Sequence, residues 1–324
     1  MSPDLRSRIR GIQAFPITPF RADLSLDLKG LRANTRRLLK TDASCIFVCG
    51  WLGELLSLTF EEYEKTVAAV VEEVDERKPV LAGVAHGTAT AMKFARRAER
   101  LGAKGLLILP PAMMIPDDDG LLRHFRAVAE SVSIPSIVYS RDWFSPSLSF
   151  LEKMARIEPI FGFKEGQFQI ELVRRIKLKL GDRLFVTNGG PAAEMIVAEY
   201  TEAGAEGFAS GFMNFMPEIV GELVRAHARG DRGRYHELLR KYIEPLCEMR
   251  DRRRGYFLAM IKAAMNELGL PAGPTRPPAP QMSPSDLPDL KAFLRRERVG
   301  RLPADVVIRA RKSCSFPMSK PGRD

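Results

Sequence analysis

The chain has 324 residues, of which 45% are hydrophobic and 28% charged, with a formal net charge of +10. That length is enough for one large domain with a well-buried core, and the ordinary aromatic and charged fractions exclude a fibrous or globally disordered chain. The charge raises nucleic acid as a partner, but Arg295–Asp324 holds nine Lys/Arg and three Asp/Glu, a net of +6, which leaves only +4 for residues 1–294. An excess confined to a tail reads as solvated, disordered chain and not as a nucleic-acid-binding face.

The first residues, MSPDLRSRIR, carry charges but no apolar h-region, so no secretory signal is expected and the expected location is the cytoplasm. No apolar run approaches the roughly 20 residues of a spanning helix, so no membrane partner is expected either. From residue 11 onward one pattern repeats: a short run rich in Val, Ile, Leu or Phe, then a helical segment. The predicted strands are 11–17, 45–50, 79–84, 105–109, 135–140, 160–166, 184–189 and 207–211. Their apolarity is nearly continuous, as parallel strands covered on both sides require. Between them, LTFEEYEKTVAAVVEEVDER starts with Thr59 and Glu62 in a capping box, and TAMKFARRAERLG stops at Gly102. Cys45 and Cys49 fall in the strand CIFVC, about 13 Å apart at strand rise and too far for a disulfide. The thiols, with Cys247 and Cys314, read as structural.

Beyond the eighth strand, MPEIVGELVRAHARG, RGRYHELLRKYIEPLCEM and GYFLAMIKAAMNELGL read as helices. The segment 271–286 is Pro-rich and predicted extended, and 285–297 as a last short helix. The predicted architecture is an α/β (β/α)8 TIM barrel over 8–220, C-terminal helices over 221–294 packed on it, and a basic tail over 295–324 expected to be disordered. An open doubly wound sheet is the alternative, but no GxGxxG follows the first strand.

In such a barrel the reactive groups sit at the C-terminal ends of the strands. That rule selects Gly53 and Glu54 after the second strand, His86 after the third, Tyr139 and Arg141 after the fifth, Lys164 and Glu165 at the sixth, Asn188 at the seventh and Ser210 at the eighth. Lys164 ends an apolar run, so its stem would enter the interior, where burial disfavours the ammonium form and a neutral amine can attack a ketone. Strand alternation puts Gly162 on the same face, which would leave free volume below the amine. The alternative is a lysine snorkelling out at a strand end. Tyr139 could relay protons to a carbinolamine, or be a packed aromatic with a satisfied hydroxyl. In GWLGE, Gly50 and Gly53 could turn backbone N–H groups inward to hold a carboxylate, or make an ordinary βα turn. Glu54 reads as structural, bonding neighbouring backbone. His86 has no second histidine or carboxylate spacing to suggest a metal, and the run Arg250–Arg254 reads as solvated or ion-paired.

The strings GxxGE (50–54), IVY (137–139) and GFKEG (162–166), at these strand ends, resemble the dihydrodipicolinate synthase/N-acetylneuraminate lyase superfamily. Within it the chain is most similar to the 5-dehydro-4-deoxyglucarate dehydratases, through FPITPF, GELLSLTFEEY, GLLILPP, GFMNFMPE and RGYFLAMIKAAMNELGLPAGPTRPP, over about residues 8–294. The resemblance implies Lys164 as the Schiff-base lysine, Tyr139 as proton relay, and the loop with Gly50, Trp51, Leu52 and Gly53 as the holder of the substrate's 1-carboxylate (2-oxo acid numbering). Arg141, Asn188 and Ser210 complete the expected substrate-binding set. The implied reaction condenses the ketone of 5-dehydro-4-deoxyglucarate with Lys164 and expels water and CO2, giving 2,5-dioxopentanoate, in a homodimer or homotetramer with no cofactor and no metal. Three departures stand out. Trp51 and Leu52 replace a loop with a threonine, Ser140 stands where an asparagine commonly follows the tyrosine, and PPAMM (110–114) lacks the tyrosine expected there. The missing threonine and tyrosine argue against synthase chemistry of the dihydrodipicolinate type, which relies on a relay between such residues. An aldolase of the same superfamily on another 2-oxo-3-deoxy acid, and a non-catalytic metabolite-binding barrel, are the competing readings.

Overall fold

The computed structural model of the protein describes residues 3–114 and 116–300. Eight strands form: β1 Gly11–Ala14, β2 Cys45–Val48, β3 Val80–Val84, β4 Gly105–Ile108, β5 Ser136–Ser140, β6 Ile160–Glu165, β7 Phe185–Asn188 and β8 Gly207–Ser210. All pair in parallel in sequence order, and β1 also pairs with β8, Gly11 opposite Gly207 and Ala14 opposite Ser210. That closure makes the predicted (β/α)8 barrel and removes the open-sheet alternative. Among the described residues no helix is long and apolar enough to cross a membrane.

The strands are shorter than the apolar runs that predict them. The first ends at Ala14 because Pro16 has no N–H for a ladder; the Ile17 N–H goes to Asn214 Oδ1 at 3.2 Å. The second ends where Cys49 turns into the left-handed region (φ 52°). Gly83 on β3 makes that turn possible, since a Cβ there would lie 2.0 Å from the Cys49 carbonyl oxygen. Cys45, Cys49 and Cys247 are free and buried; Cys314 lies outside the described residues.

The helix Phe60–Val74 carries the predicted capping box: the Glu62 N–H donates to Thr59 Oγ1 at 3.2 Å, and the Thr59 N–H to Glu62 Oε2 at 3.1 Å. The helix Thr88–Arg100 ends before Gly102, which takes φ 96°. A helix at Pro3–Arg8 has no apolar period long enough to predict it. Tertiary contacts hold it: Leu5 and Ile9 are buried, and Arg6 pairs with Glu206 at 2.6 Å.

After β8 the helix Pro217–Ala228 runs across the expected boundary at 220. Arg232–Leu238 follows, widening to a π turn at Leu239–Ile243 before Glu244–Asp251. Pro245 accounts for the widening, since its ring clashes with an α-turn carbonyl four residues back. The Arg250–Arg254 run is ion-paired in part: Arg250 meets Asp251 at 2.7 Å, and Arg252 meets Asp289 at 2.7 Å and Asp286 at 3.0 Å. The helix Leu287–Arg296 enters the segment expected as tail and Val299 is still buried; residues 301–324 lie outside the described residues.

The extended Pro-rich segment fastens the loop after β2. Glu54 bonds chain far away, not the neighbouring backbone expected of it. Its Oε1 pairs with Lys262 Nζ at 2.5 Å, and its Oε2 accepts the Arg276 N–H at 2.9 Å. The side chains of Lys262 and Glu54 are 2% and 3% exposed. Lys262 also donates to the Pro274 carbonyl at 2.8 Å, and the Arg276 guanidinium clamps Glu62. Burial pushes the Lys262 ammonium below its ordinary range, opposed by Glu54. Breaking such a pair strands a buried charge and costs about 3–5 kcal/mol, whereas removing both charges costs far less. Glu54→Gln is therefore expected to lower the unfolding midpoint strongly in thermal or denaturant melts, and Glu54→Gln with Lys262→Met to recover much of the loss.

Candidate active site

A small pocket opens at the C-terminal end of the barrel, lined among others by Phe15, Trp51, Leu52, Tyr139, Arg141, Lys164 and Ser210. Lys164 on β6 sits opposite Tyr139 on β5 and Thr187 on β7. Its side chain goes inward: the residue is 2% exposed, with Nζ 3.9 Å from the Tyr139 ring centroid and 4.9 Å from that of Phe15. The snorkelling alternative is thereby excluded.

The room for the amine does not come from Gly162. The Ile137 side chain fills that space, and a Cβ on Gly162 would lie 2.9 Å from Ile137 Cγ1. The room comes from Gly189, just past β7, where a Cβ would lie 1.9 Å from Lys164 Nζ. Any larger residue at 189 would occupy the position of the amine.

Tyr139 is buried and wired at its hydroxyl, which donates to the Gly189 carbonyl at 2.6 Å and accepts from Arg141 Nη1 at 2.9 Å. Burial pushes the Lys164 amine below the ordinary lysine range; Tyr139 opposes this and the Arg141 charge adds to it. Burial alone would push the Tyr139 phenol up, but the charges of Lys164 and Arg141, with their hydrogen bonds, hold it below its ordinary value. A lysine brought toward neutrality and a phenol made more acidic are the amine and the proton carrier that imine chemistry needs.

Arg141 lies over Trp51, guanidinium carbon 4.0 Å from the ring centroid, and Trp51 stacks on Phe257 with centroids 6.4 Å apart. The Arg141 Nε makes no hydrogen bond among the described residues. The Trp51 and Leu52 N–H groups donate to no other backbone group there. The site thus holds one cation, 3.6 Å from Asp142 Oδ1, beside two loop amides without a backbone acceptor among the described residues.

The remaining predicted residues divide. Ser210 lines the pocket, its hydroxyl donating to Glu194 Oε1 at 2.6 Å. Gly50 and Gly53 shape the loop behind Trp51 and do not line the pocket; the Gly53 carbonyl accepts the Thr18 hydroxyl at 2.7 Å. Asn188 does not line it either, because its Oδ1 accepts the Ala209 N–H at 2.9 Å and braces β7 to β8. Glu165 points away from the pocket into a hydrogen bond with Tyr200. His86 packs on Phe94, with ring centroids 5.2 Å apart, and is not in the pocket wall. Ser140 links strands by donating to the Lys164 carbonyl at 3.4 Å and accepting the Gly166 N–H at 3.2 Å.

Sequence reasoning missed Phe15, Gly189, Phe257 and Glu194. Phe15 and Gly189 lie just past β1 and β7, where the strand-end rule could have found them. Phe257 and Glu194 come from a helix beyond the barrel and from the turn Ala193–Ile196, and no strand-end rule reaches them.

The same barrel and chain length recur in known proteins. A "Probable 5-dehydro-4-deoxyglucarate dehydratase" of Bradyrhizobium diazoefficiens is 39% identical over 287 residues, covering 88% of this chain and 91% of that protein. A protein of the same description from Saccharopolyspora erythraea is 37% identical, covering 91% and 94%. Among solved structures, dihydrodipicolinate synthase from Oceanobacillus iheyensis superposes with a TM-score of 0.85 at 28% identity, covering 91% of this chain and 98% of that one. The synthase from Aquifex aeolicus gives 0.81 at 30% identity, covering 90% and 98%. The model of the dihydrodipicolinate synthetase family matches residues 8–297. With the barrel, the inward lysine and a family match spanning nearly all the described residues, the chain belongs to the dihydrodipicolinate synthetase family.

Proposed function

We propose that this protein is a Schiff-base-forming lyase that dehydrates and decarboxylates 5-dehydro-4-deoxyglucarate to 2,5-dioxopentanoate. The observation that carries the reading is the buried Lys164 amine, beside a Tyr139 hydroxyl wired to Gly189 and Arg141. The substrate choice rests on the relatives named for that dehydratase at 34–39% identity.

Neutral Lys164 adds to the ketone carbon, and the carbinolamine loses water to give an iminium. Tyr139 carries the protons of that step. The iminium acidifies the neighbouring CH2; loss of a proton there gives an enamine, whose electrons expel the hydroxyl on the next carbon as water. The product is a conjugated iminium, and it accepts the electron pair left when the far carboxylate departs as CO2. Protonation and hydrolysis release 2,5-dioxopentanoate and free Lys164. Arg141 and the Trp51 and Leu52 amides supply the positive potential for the substrate's carboxylates. Trp51 takes the place of a loop threonine, so its ring and the cation it carries do the work of a hydroxyl. We assign the protein to the cytoplasm as a homodimer or homotetramer; exposed Met113, Met114 and Trp143 supply apolar surface for self-association.

Pyruvate plus borohydride is expected to add a reduced adduct at Lys164, read by peptide mass spectrometry, and Lys164→Ala to remove it. No adduct from wild-type protein with any of a broad panel of 2-oxo acids would overturn the enzyme reading. Product analysis with 5-dehydro-4-deoxyglucarate is expected to show CO2; an aldehyde plus pyruvate would instead mark an aldolase. Because the Lys164 pKa is lowered, the neutral amine persists to lower pH than in an ordinary lysine. The trapping rate should therefore rise with pH and level off below the ordinary lysine pKa. Tyr139→Phe is expected to lower kcat by about 10²–10⁴, the usual contribution of a positioned proton carrier.

A further inference from the structure

Glu194 is fully buried in the turn Ala193–Ile196, behind the pocket wall that Ser210 forms. Its Oε1 accepts the Ser210 hydroxyl at 2.6 Å and lies 3.4 Å from the Phe212 N–H. Its Oε2 has no hydrogen-bond partner among the described residues. Ser210 Oγ in turn accepts the Met213 N–H at 3.2 Å. The charged and titratable groups facing Glu194 come from one helix, Glu244–Asp251. They are Arg250, committed to Asp251 and to the Pro191 carbonyl at 2.9 Å, and the Cys247 thiol. Among the described residues Glu194 therefore has no direct ion-pair partner. Burial pushes its carboxyl above the ordinary range against the opposing hydrogen bonds. A glutamine of the same shape would brace Ser210 without the cost of desolvating a carboxyl group, so the acid itself calls for a use.

We propose that Ser210 and Glu194 form a proton relay that protonates the hydroxyl leaving the substrate. The relay rests on the dehydratase reading above. When Glu194 is neutral, its O–H donates to Ser210 Oγ, which already accepts the Met213 N–H. The proton of Ser210 must then point elsewhere, and the pocket is the open side. As the enamine electrons move and the C–O bond breaks, the departing oxygen takes the Ser210 proton and leaves as water. Ser210 Oγ takes the Glu194 proton in the same movement. The relay ends with a Glu194 carboxylate accepting from Ser210, the arrangement described above. Conversion of the dianionic substrate to one monoanion, water and CO2 consumes one proton from solvent per turnover, and that proton resets Glu194. Ser210 is the catalytic residue of the pair and Glu194 the positioning and proton-holding one.

The test compares wild type with Glu194→Gln, Glu194→Asp and Ser210→Ala in the full chain. Glu194→Gln and Ser210→Ala are expected to retain pyruvate trapping at Lys164 and methyl-hydrogen exchange of pyruvate to within a few-fold. Their kcat for 5-dehydro-4-deoxyglucarate should fall by about 10²–10³, as for other general acids, with little change in KM. Glu194→Asp should restore part of the loss. The alkaline limb of the kcat profile, where Glu194 loses its proton, should vanish in Glu194→Gln. A substrate with fluoride in place of the leaving hydroxyl needs little protonation, and with it the Glu194→Gln deficit should shrink to a few-fold. Wild-type-like dehydration by Glu194→Gln, loss of trapping together with dehydration, or an undiminished deficit on the fluoro substrate would each overturn the relay. Absence of the adduct in wild type would overturn the lyase reading instead.

Discussion

A primary amine held out of water at the C-terminal end of a barrel is the constraint on which the rest of this site turns. An ammonium there would lose most of its hydration, so the site must either supply a counter-charge or accept a neutral amine. It does some of each. The Tyr139 phenol stabilises the charged form, while burial and the Arg141 charge oppose it. The outcome is a lysine that can shed its proton without leaving its place. Room for it depends on a backbone with no side chain at Gly189, whose carbonyl also anchors Tyr139. One residue therefore sets both the position of the amine and the direction of the phenol.

The loop facing this amine is held from outside the barrel. Glu54 ends the loop and is tied to Lys262 on a C-terminal helix and to Arg276 on the Pro-rich strap, which also clamps the cap of the helix after β2 through Glu62. The C-terminal helices are thus part of the site's construction. Trp51 rests on Phe257 of that same helix, Tyr256–Glu267, so its ring and the Arg141 stacked on it are set by the same packing. Fold stability and loop position are coupled here because the same buried ion pair serves both.

The barrel was legible in the sequence because parallel strands buried on both faces leave continuous apolar runs at regular spacing. Lys164 and Tyr139 were legible because barrel chemistry gathers at strand ends. Side-chain direction was less so. Asn188 sits at a strand end as predicted, yet it spends its carbonyl oxygen on the Ala209 N–H of β8 and leaves the pocket wall. Gly162 shares a face with Lys164, yet Ile137 from the neighbouring strand fills its space; one strand's pattern cannot show what its neighbour contributes. Glu54 reads as a local backbone partner until residues more than 200 positions away are folded onto it. Contacts of that range have no local periodicity, and the same is true of the helix Pro3–Arg8.

The replacement of a loop hydroxyl by Trp51 then takes on a physical meaning. A threonine would offer a substrate carboxylate one neutral donor. Trp51 instead holds Arg141 over its ring, and Arg141 in turn donates to the Tyr139 hydroxyl. In the proposed reaction the guanidinium is shared between holding an anion and acidifying the proton carrier. A substrate anion that engages Arg141 would withdraw part of its charge from Tyr139 and Lys164, raising both groups' affinity for protons as the ketone arrives. Binding and proton transfer are therefore electrostatically linked through one side chain. That link makes Arg141, more than Trp51 itself, the residue through which the altered loop acts on the chemistry.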